Sequence, residues 1–154
     1  MTAVSPVRAA IFVDTLQDRA FQAFTADIGR WWPLEYSYAQ AELDTAVIEP
    51  RAGGLWFERD RAGQETAWGQ VRAWEPPSRL VLSFAVGPDR APEPEERASE
   101  VEIRFVPEGR GTRVELEHRD FERHGDGAQR LRDGMASPQG WPLILAAYAR
   151  HVRS

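Results

Sequence analysis

The chain has 154 residues, no cysteine and a formal net charge of −5. The length fits one domain, 1–154, with surface enough to bury a real core. Without thiols there are no disulfides and no thiolate metal sites, and the acidic balance argues against a nucleic-acid partner.

The N-terminus has no basic start followed by an apolar run, so it does not read as a signal peptide. No apolar stretch approaches the ~18 residues of a membrane span. The cytoplasm is the expected location. All 19 basic residues are arginine, a codon bias that points to a GC-rich bacterial genome.

In chain order, 7–14 is β-rich and reads as a first strand. Asp18 is placed to cap a following helix. Phe21, Phe24 and Ile28 recur at helical spacing, so 17–28 reads as an amphipathic helix that Gly29 breaks. Pro33 biases Trp32 away from helix, with a second short helix or turn around 31–39. From Leu43 the pattern changes to strands at 46–49, 55–59, 66–75 and 80–86, separated by glycine and proline turns. The stretch 88–97 holds three prolines and three glutamates and reads as an exposed, mobile loop.

Two further strands alternate cleanly. Val101, Ile103 and Phe105 share one face, as do Val114, Leu116 and His118, which gives each strand one dry and one wet side. A helical segment over 128–135 is interrupted near Ser137–Gly140. Trp141, Ile144, Leu145, Tyr148 and Val152 then fall on one face of a long final helix, with Pro142 in its first turn. These elements define an α+β chain. A long amphipathic helix after an antiparallel meander buries its stripe on the sheet's dry face. A curved sheet and a helix leave space between them, and six tryptophans make that space aromatic.

An ordered set of short motifs runs through nearly the whole chain: Ala20-Phe21, the stretch 25–32 ending in Trp31-Trp32, Gly53-Gly54-Leu55-Trp56 and Trp68-Gly69-Gln70-Val71. It continues with 75–80, Gly111-Thr112-Arg113-Val114, Glu117-His118-Arg119 and Gly140-Trp141. In this the chain resembles the START-like (SRPBCC, helix-grip) superfamily, and within it the heat-shock-protein-90 ATPase activator homologue family. The resemblance implies a β-α-α-β6-α helix-grip fold: a curved antiparallel sheet of about seven strands around the C-terminal helix, with a deep pocket between them. Relatives include lipid carriers, hormone receptors, polyketide cyclases and chaperone activators, so fold alone does not choose an activity. The family's namesake is a eukaryotic co-chaperone with a further domain that is missing from these residues, which counts against chaperone activation.

Four constellations bear on function. Trp32, Trp56, Trp68, Trp74, Phe84 and Trp141 are either plain core or the lining of a pocket for a flat or greasy ligand. Trp68 and Trp74 share strand parity unless a bulge intervenes. His118 lies with the dry face, as a satisfied core residue or as a polar handle or general base in the cavity. Glu58 turns inward if Trp56 does, as a buried acid–base group; otherwise it is an exposed strand residue near the following turn, or a partner for an arginine. The run His118, Asp120, His124, Asp126 matches no standard zinc or calcium spacing. No G-x-S-x-G, H-E-x-x-H or P-loop is present.

The expected ligand-binding set is Trp32, Trp56, Trp68, Phe84, His118, Trp141, Leu145 and Tyr148, with no catalytic residue, metal or cofactor assigned. The leading expectation is binding or carriage of a small hydrophobic or aromatic molecule. The rivals are an enzyme of cyclase, dehydratase or hydrolase type in the same cavity, with His118 or Glu58 as acid or base, and a chaperone-linked interaction protein.

Overall fold

A computed structural model describes residues 3–153. Seven strands form one sheet: β1 Val7–Val13, β2 Leu43–Ile48, β3 Leu55–Asp60, β4 Glu65–Glu75, β5 Arg79–Phe84, β6 Ser99–Glu108 and β7 Gly111–Arg119. Their order is β1-β7-β6-β5-β4-β3-β2, every pair antiparallel. The meander from β2 to β7 closes with β1 beside β7, Val7 opposite His118 and Val13 opposite Thr112. Helices α1 Gln17–Thr25 and α2 Ile28–Trp31 follow β1; α3 Ala128–Ala136 and α4 Trp141–Arg153 follow β7. This is the helix-grip architecture, the curled sheet wrapped around α4.

The alternation of β6 and β7 puts Val101, Ile103, Phe105, Val114 and Leu116 in the core. The stripe of α4 meets them with Trp141, Ile144, Leu145 and Tyr148, all buried. On the outer face Arg119 reaches Glu100, Glu102 and Glu117, and Glu102 also receives Arg79 and Arg104. Burial pushes the Glu102 carboxyl up, but hydrogen bonds from Arg119, Arg79 and Arg104 outweigh it and hold the carboxyl at about 2. Arginine stems cover Glu102 while their heads stay partly wet, so a residue on the polar face is buried.

The first helix differs from its sequence reading. It stops at Thr25, whose hydroxyl donates to Phe21 O at 2.8 Å. Leu16, not Asp18, holds the cap position, and Asp18 lies in the first turn, where its charge suits the helix dipole. Gly29 does not break a helix but sits inside α2. A Cβ there would come 2.3 Å from Thr45 Oγ1, so glycine is what lets α2 lie directly on β2. No helix among the described residues is long and apolar enough to cross a membrane.

The loop 88–97 is largely exposed, as its composition suggests, but it is tied down. Val86 pairs with Pro92, the Glu95 carboxylate accepts from Ser83 Oγ at 2.7 Å and from Arg72 at 3.1 Å, and Glu93 reaches His124. Two of its three glutamates therefore act as anchors rather than as a solvated run.

Candidate functional site

A cavity of about 520 Å³ opens between the sheet, the segment after α2, and helices α3 and α4. Trp56 of β3, Trp68 of β4 and Phe84 of β5 form its sheet wall, and Trp32 closes it from the end of α2. The ring centres of Trp32 and Trp68 lie 5.0 Å apart, and Trp56 meets Trp68 edge-on at 5.2 Å. Leu131 and Met135 from α3 and Ile144 from α4 supply aliphatic surface. Tyr36 and Tyr38 come from the strap between α2 and β2, and Arg90 and Arg130 stand exposed at the rim.

Local backbone features aim these side chains. Gly69 lies opposite Trp56, and a Cβ there would fall 2.0 Å from Ser83 O and 2.4 Å from Trp56 Nε1. The missing side chain leaves room for the Trp56 indole to donate to Ser83 O at 2.7 Å. Register shifts at Trp56/Phe57 and at Val71/Ala73 each add a residue to β4, and the two cancel. Trp68 and Trp74 thus both face the core side; Trp68 lines the cavity, while Trp74 packs on Phe21 at 5.1 Å.

Glu58 is 2% exposed, which overturns the reading of it as an exposed strand residue. Its carboxylate accepts from the Trp68 indole at 2.8 Å and from the backbone N–H groups of Tyr38 and Ala39 at 2.7 and 2.8 Å. It therefore pins the strap to the sheet beside the cavity. The Tyr36 hydroxyl holds the other side, donating to Gln139 O at 2.6 Å. Burial, and then the charges of Glu58 and Glu93, push the Tyr38 phenol well above its ordinary value. Two buried polar atoms of the lining have no hydrogen-bond partner, Trp32 Nε1 and Tyr38 Oη.

Behind Phe84 lies a second polar cluster. His118 is fully buried, its ring 4.8 Å from Phe84 and stacked on Phe121 at 4.1 Å. Trp141 Nε1 donates to His118 Nδ1 at 3.0 Å, and His118 Nε2 meets Ser99 Oγ at 2.7 Å. Ser99 Oγ lies 2.8 Å from His124 Nε2, and His124 Nδ1 lies 2.6 Å from Glu93. One arrangement of protons satisfies every member: Trp141 to His118, His118 Nε2–H to Ser99, Ser99 to His124, and His124 Nδ1–H to Glu93. Burial, and then His124, hold His118 well below the ordinary histidine value, so it stays neutral. The serine, histidine and glutamate resemble a nucleophilic triad in composition. Ser99, however, is sealed in the core, so in this conformation the cluster is a structural chain.

Of the eight residues expected to bind ligand, the structure brings Trp32, Trp56, Trp68 and Phe84 together on the cavity wall. His118, Trp141, Leu145 and Tyr148 lie outside that wall, packed in the core. Tyr148 donates to Ala20 O at 2.8 Å, and Trp141 and His118 hold each other. The reason is depth: the stripe of α4 is so well filled that only Ile144 reaches the cavity. Sequence reasoning missed Tyr36, Tyr38, Leu131 and Met135. The i, i+4 spacing of Leu131 and Met135 was a usable signal. His118 and His124 converge on a serine, and among the described residues no group of three or more His, Asp or Glu side chains forms a metal site.

A family model described as Activator of Hsp90 ATPase homolog 1-like protein matches residues 14–151. No curated protein sequence matches the chain. Among solved structures, an anthrahydroquino-γ-pyrone synthase, Txn09, is 34% identical over 98% of this chain and 99% of its own, with a TM-score of 0.67. The self-sacrificing resistance protein CalC from Micromonospora echinospora is 28% identical over 96% of this chain and 93% of its own, with a TM-score of 0.69. The protein MLL2253 from Mesorhizobium loti, 17% identical with a TM-score of 0.68 over 97% of both chains, shares the fold. The cavity sits where a helix-grip sheet and its helices leave room, and the family match spans nearly every element that builds it, so the chain belongs to the Activator of Hsp90 ATPase homolog 1-like family.

Proposed function

We propose that this protein binds a flat aromatic small molecule in its sheet–helix cavity, as a cytoplasmic carrier. One observation carries the reading: Trp32, Trp56, Trp68 and Phe84 wall a cavity of about 520 Å³. That size suits a small ligand, and a mostly apolar wall with a few placed polar groups is the usual make-up of such sites. Offset and edge-on ring contacts favour a planar guest over an aliphatic one. The 34% identity to a protein named for anthrahydroquino-γ-pyrone synthesis supports a polycyclic guest. It also favours a second reading, ring closure of such a molecule in the same cavity.

One experiment tests both. The protein is titrated with polycyclic aromatics, a sterol and a fatty acid while tryptophan emission and melting temperature are followed, and each mixture is then analysed by mass spectrometry. Saturable quenching and a raised melting temperature are expected for the planar compounds, with both effects weakened in Leu131→Trp, which takes up part of the cavity. A product peak would promote the enzyme reading. No response to any planar compound, or an unchanged response in Leu131→Trp, would end the proposal.

A further inference from the structure

The polar groups of the aromatic wall are not equivalent. The indoles of Trp56 and Trp68 already donate to Ser83 O and to Glu58, and the Tyr36 hydroxyl donates to Gln139 O. Trp32 Nε1 and Tyr38 Oη remain without a partner, on residues that face the same cavity. Trp32 is 9% exposed, so bulk water does not readily satisfy its N–H. A buried donor left unpaired is costly, and a group that accepts its proton recovers that cost.

The two atoms also fix the sign of what they bind. An indole N–H only donates. The Tyr38 phenol keeps its proton at neutral pH, because burial and the nearby Glu58 and Glu93 charges oppose its ionisation. The indole therefore calls for an acceptor, and the phenol has a proton to offer the same group. Those same carboxylates disfavour an anion beside Tyr38, while the arginines that would attract one, Arg90 and Arg130, stand at the exposed rim. Glu58 holds the backbone N–H groups of Tyr38 and Ala39, which fixes the strap that carries the phenol.

We infer that the cavity recognises a neutral carbonyl oxygen on a flat aromatic ring system, an aryl ketone or quinone, with Trp32 Nε1 and Tyr38 Oη as its hydrogen-bond donors. This rests on the aromatic-cavity reading above and goes further, because that reading requires no acceptor.

Fluorenone and fluorene are the probes: both are flat tricycles of nearly the same shape, and only the first has a carbonyl. Wild-type protein should bind fluorenone about tenfold more tightly than fluorene, the equivalent of one net hydrogen bond. Its carbonyl stretch should move to lower wavenumber on binding. Tyr38→Phe and Trp32→Phe should each remove most of that preference, so that the ratio of the two affinities falls toward one; Trp32→Phe should also weaken both probes together, because it trims a ring of the wall. Tyr38→Phe deletes an unpartnered hydroxyl and should fold at least as stably as wild type. Equal affinity for the two probes, or an unshifted carbonyl stretch, would overturn the carbonyl inference while leaving the aromatic cavity standing. Failure of both probes to bind would overturn the inference and the aromatic-cavity reading together.

Discussion

Replacing Ser99 with alanine removes one oxygen from the point where two imidazoles meet. His118 Nε2–H then has no acceptor, and the site is fully buried, so the loss is that of an unsatisfied donor, about 1–3 kcal/mol. His124 Nε2 keeps only the Ser99 backbone N–H at 3.3 Å and loses the better bond at 2.8 Å, a further ~1 kcal/mol. The hydroxyl is small, so the cavity left behind adds little. The expected loss is about 2–4 kcal/mol, which for a chain of this length lowers the melting temperature by about 4–16 °C. Urea unfolding at neutral pH, with an unchanged slope, measures the loss. Nitrogen-15 shifts of the wild-type imidazoles give an independent check: His118 should be the Nε2–H tautomer and His124 the Nδ1–H tautomer. A loss below ~0.5 kcal/mol would be within the range of an ordinary surface change and would refute the bridging role of the hydroxyl. The opposite tautomer at either ring would refute the direction of the chain.

Two further outcomes follow from the same geometry. Because the unfolded His118 takes up a proton below the ordinary value of 6.5 while burial keeps the folded ring neutral, stability should fall as pH drops from 7 toward 5. Urea melts across that range should show the slope, and His118→Gln should remove most of it; a flat profile in wild type would contradict a neutral buried ring. Glu102 acts in a lower window, its stabilisation being present above 4.5 and lost as pH falls toward 2. Trp141→Ala should cost about 3–5 kcal/mol by calorimetry, because the indole is 2% exposed and its loss also leaves His118 Nδ1 without a donor. Trp141→Phe should cost less, since it restores the packing but not the hydrogen bond, and equal losses in the two variants would place the whole effect in the hydrogen bond.

The fold is legible because its signals are periodic. Alternation over β6 and β7 and the stripe of α4 each repeat a residue type at a fixed spacing, and the sheet and helix they specify are the ones observed. The candidate site is only half legible. Trp32, Trp56, Trp68 and Phe84 stand out by size, yet size does not separate a cavity wall from a filled core, and Trp141 and Tyr148 are on the filled side. The strap that carries Tyr36 and Tyr38 has no period, and its position depends on Glu58, some 20 residues further along the chain. Glycines are ambiguous for a related reason: Gly29 reads as a stop but serves close packing of α2 on β2, a distinction only the partner strand reveals. His118 shows its inward parity in the sequence. Its partners Ser99 and His124 come from another strand and from the turn that precedes α3, so the chain of bonds has no local signature.

The buried polar groups explain how a small domain keeps a cavity open. A void lined by apolar groups tends to close by relaxation of its walls, so the walls must be held from outside the cavity. Glu58 holds the strap. Glu93 ties the loop that supplies Pro88 and Arg90 to His124, which leads directly into α3 with Leu131 and Met135. Ser99 and His118 carry the same tie through β6 and β7 to Trp141 at the start of α4, the helix that contributes Ile144. Each movable wall is therefore bonded to the sheet through a buried group with partners on both sides. Charge burial of this kind is tolerable only when nearly every donor and acceptor is matched. Trp32 Nε1 and Tyr38 Oη are the cavity's exceptions, and the groups around them are held in place by the matched ones. A site whose walls are fixed before the guest arrives loses little freedom on binding, so the guest's own contacts with the four rings and two donors can appear as affinity.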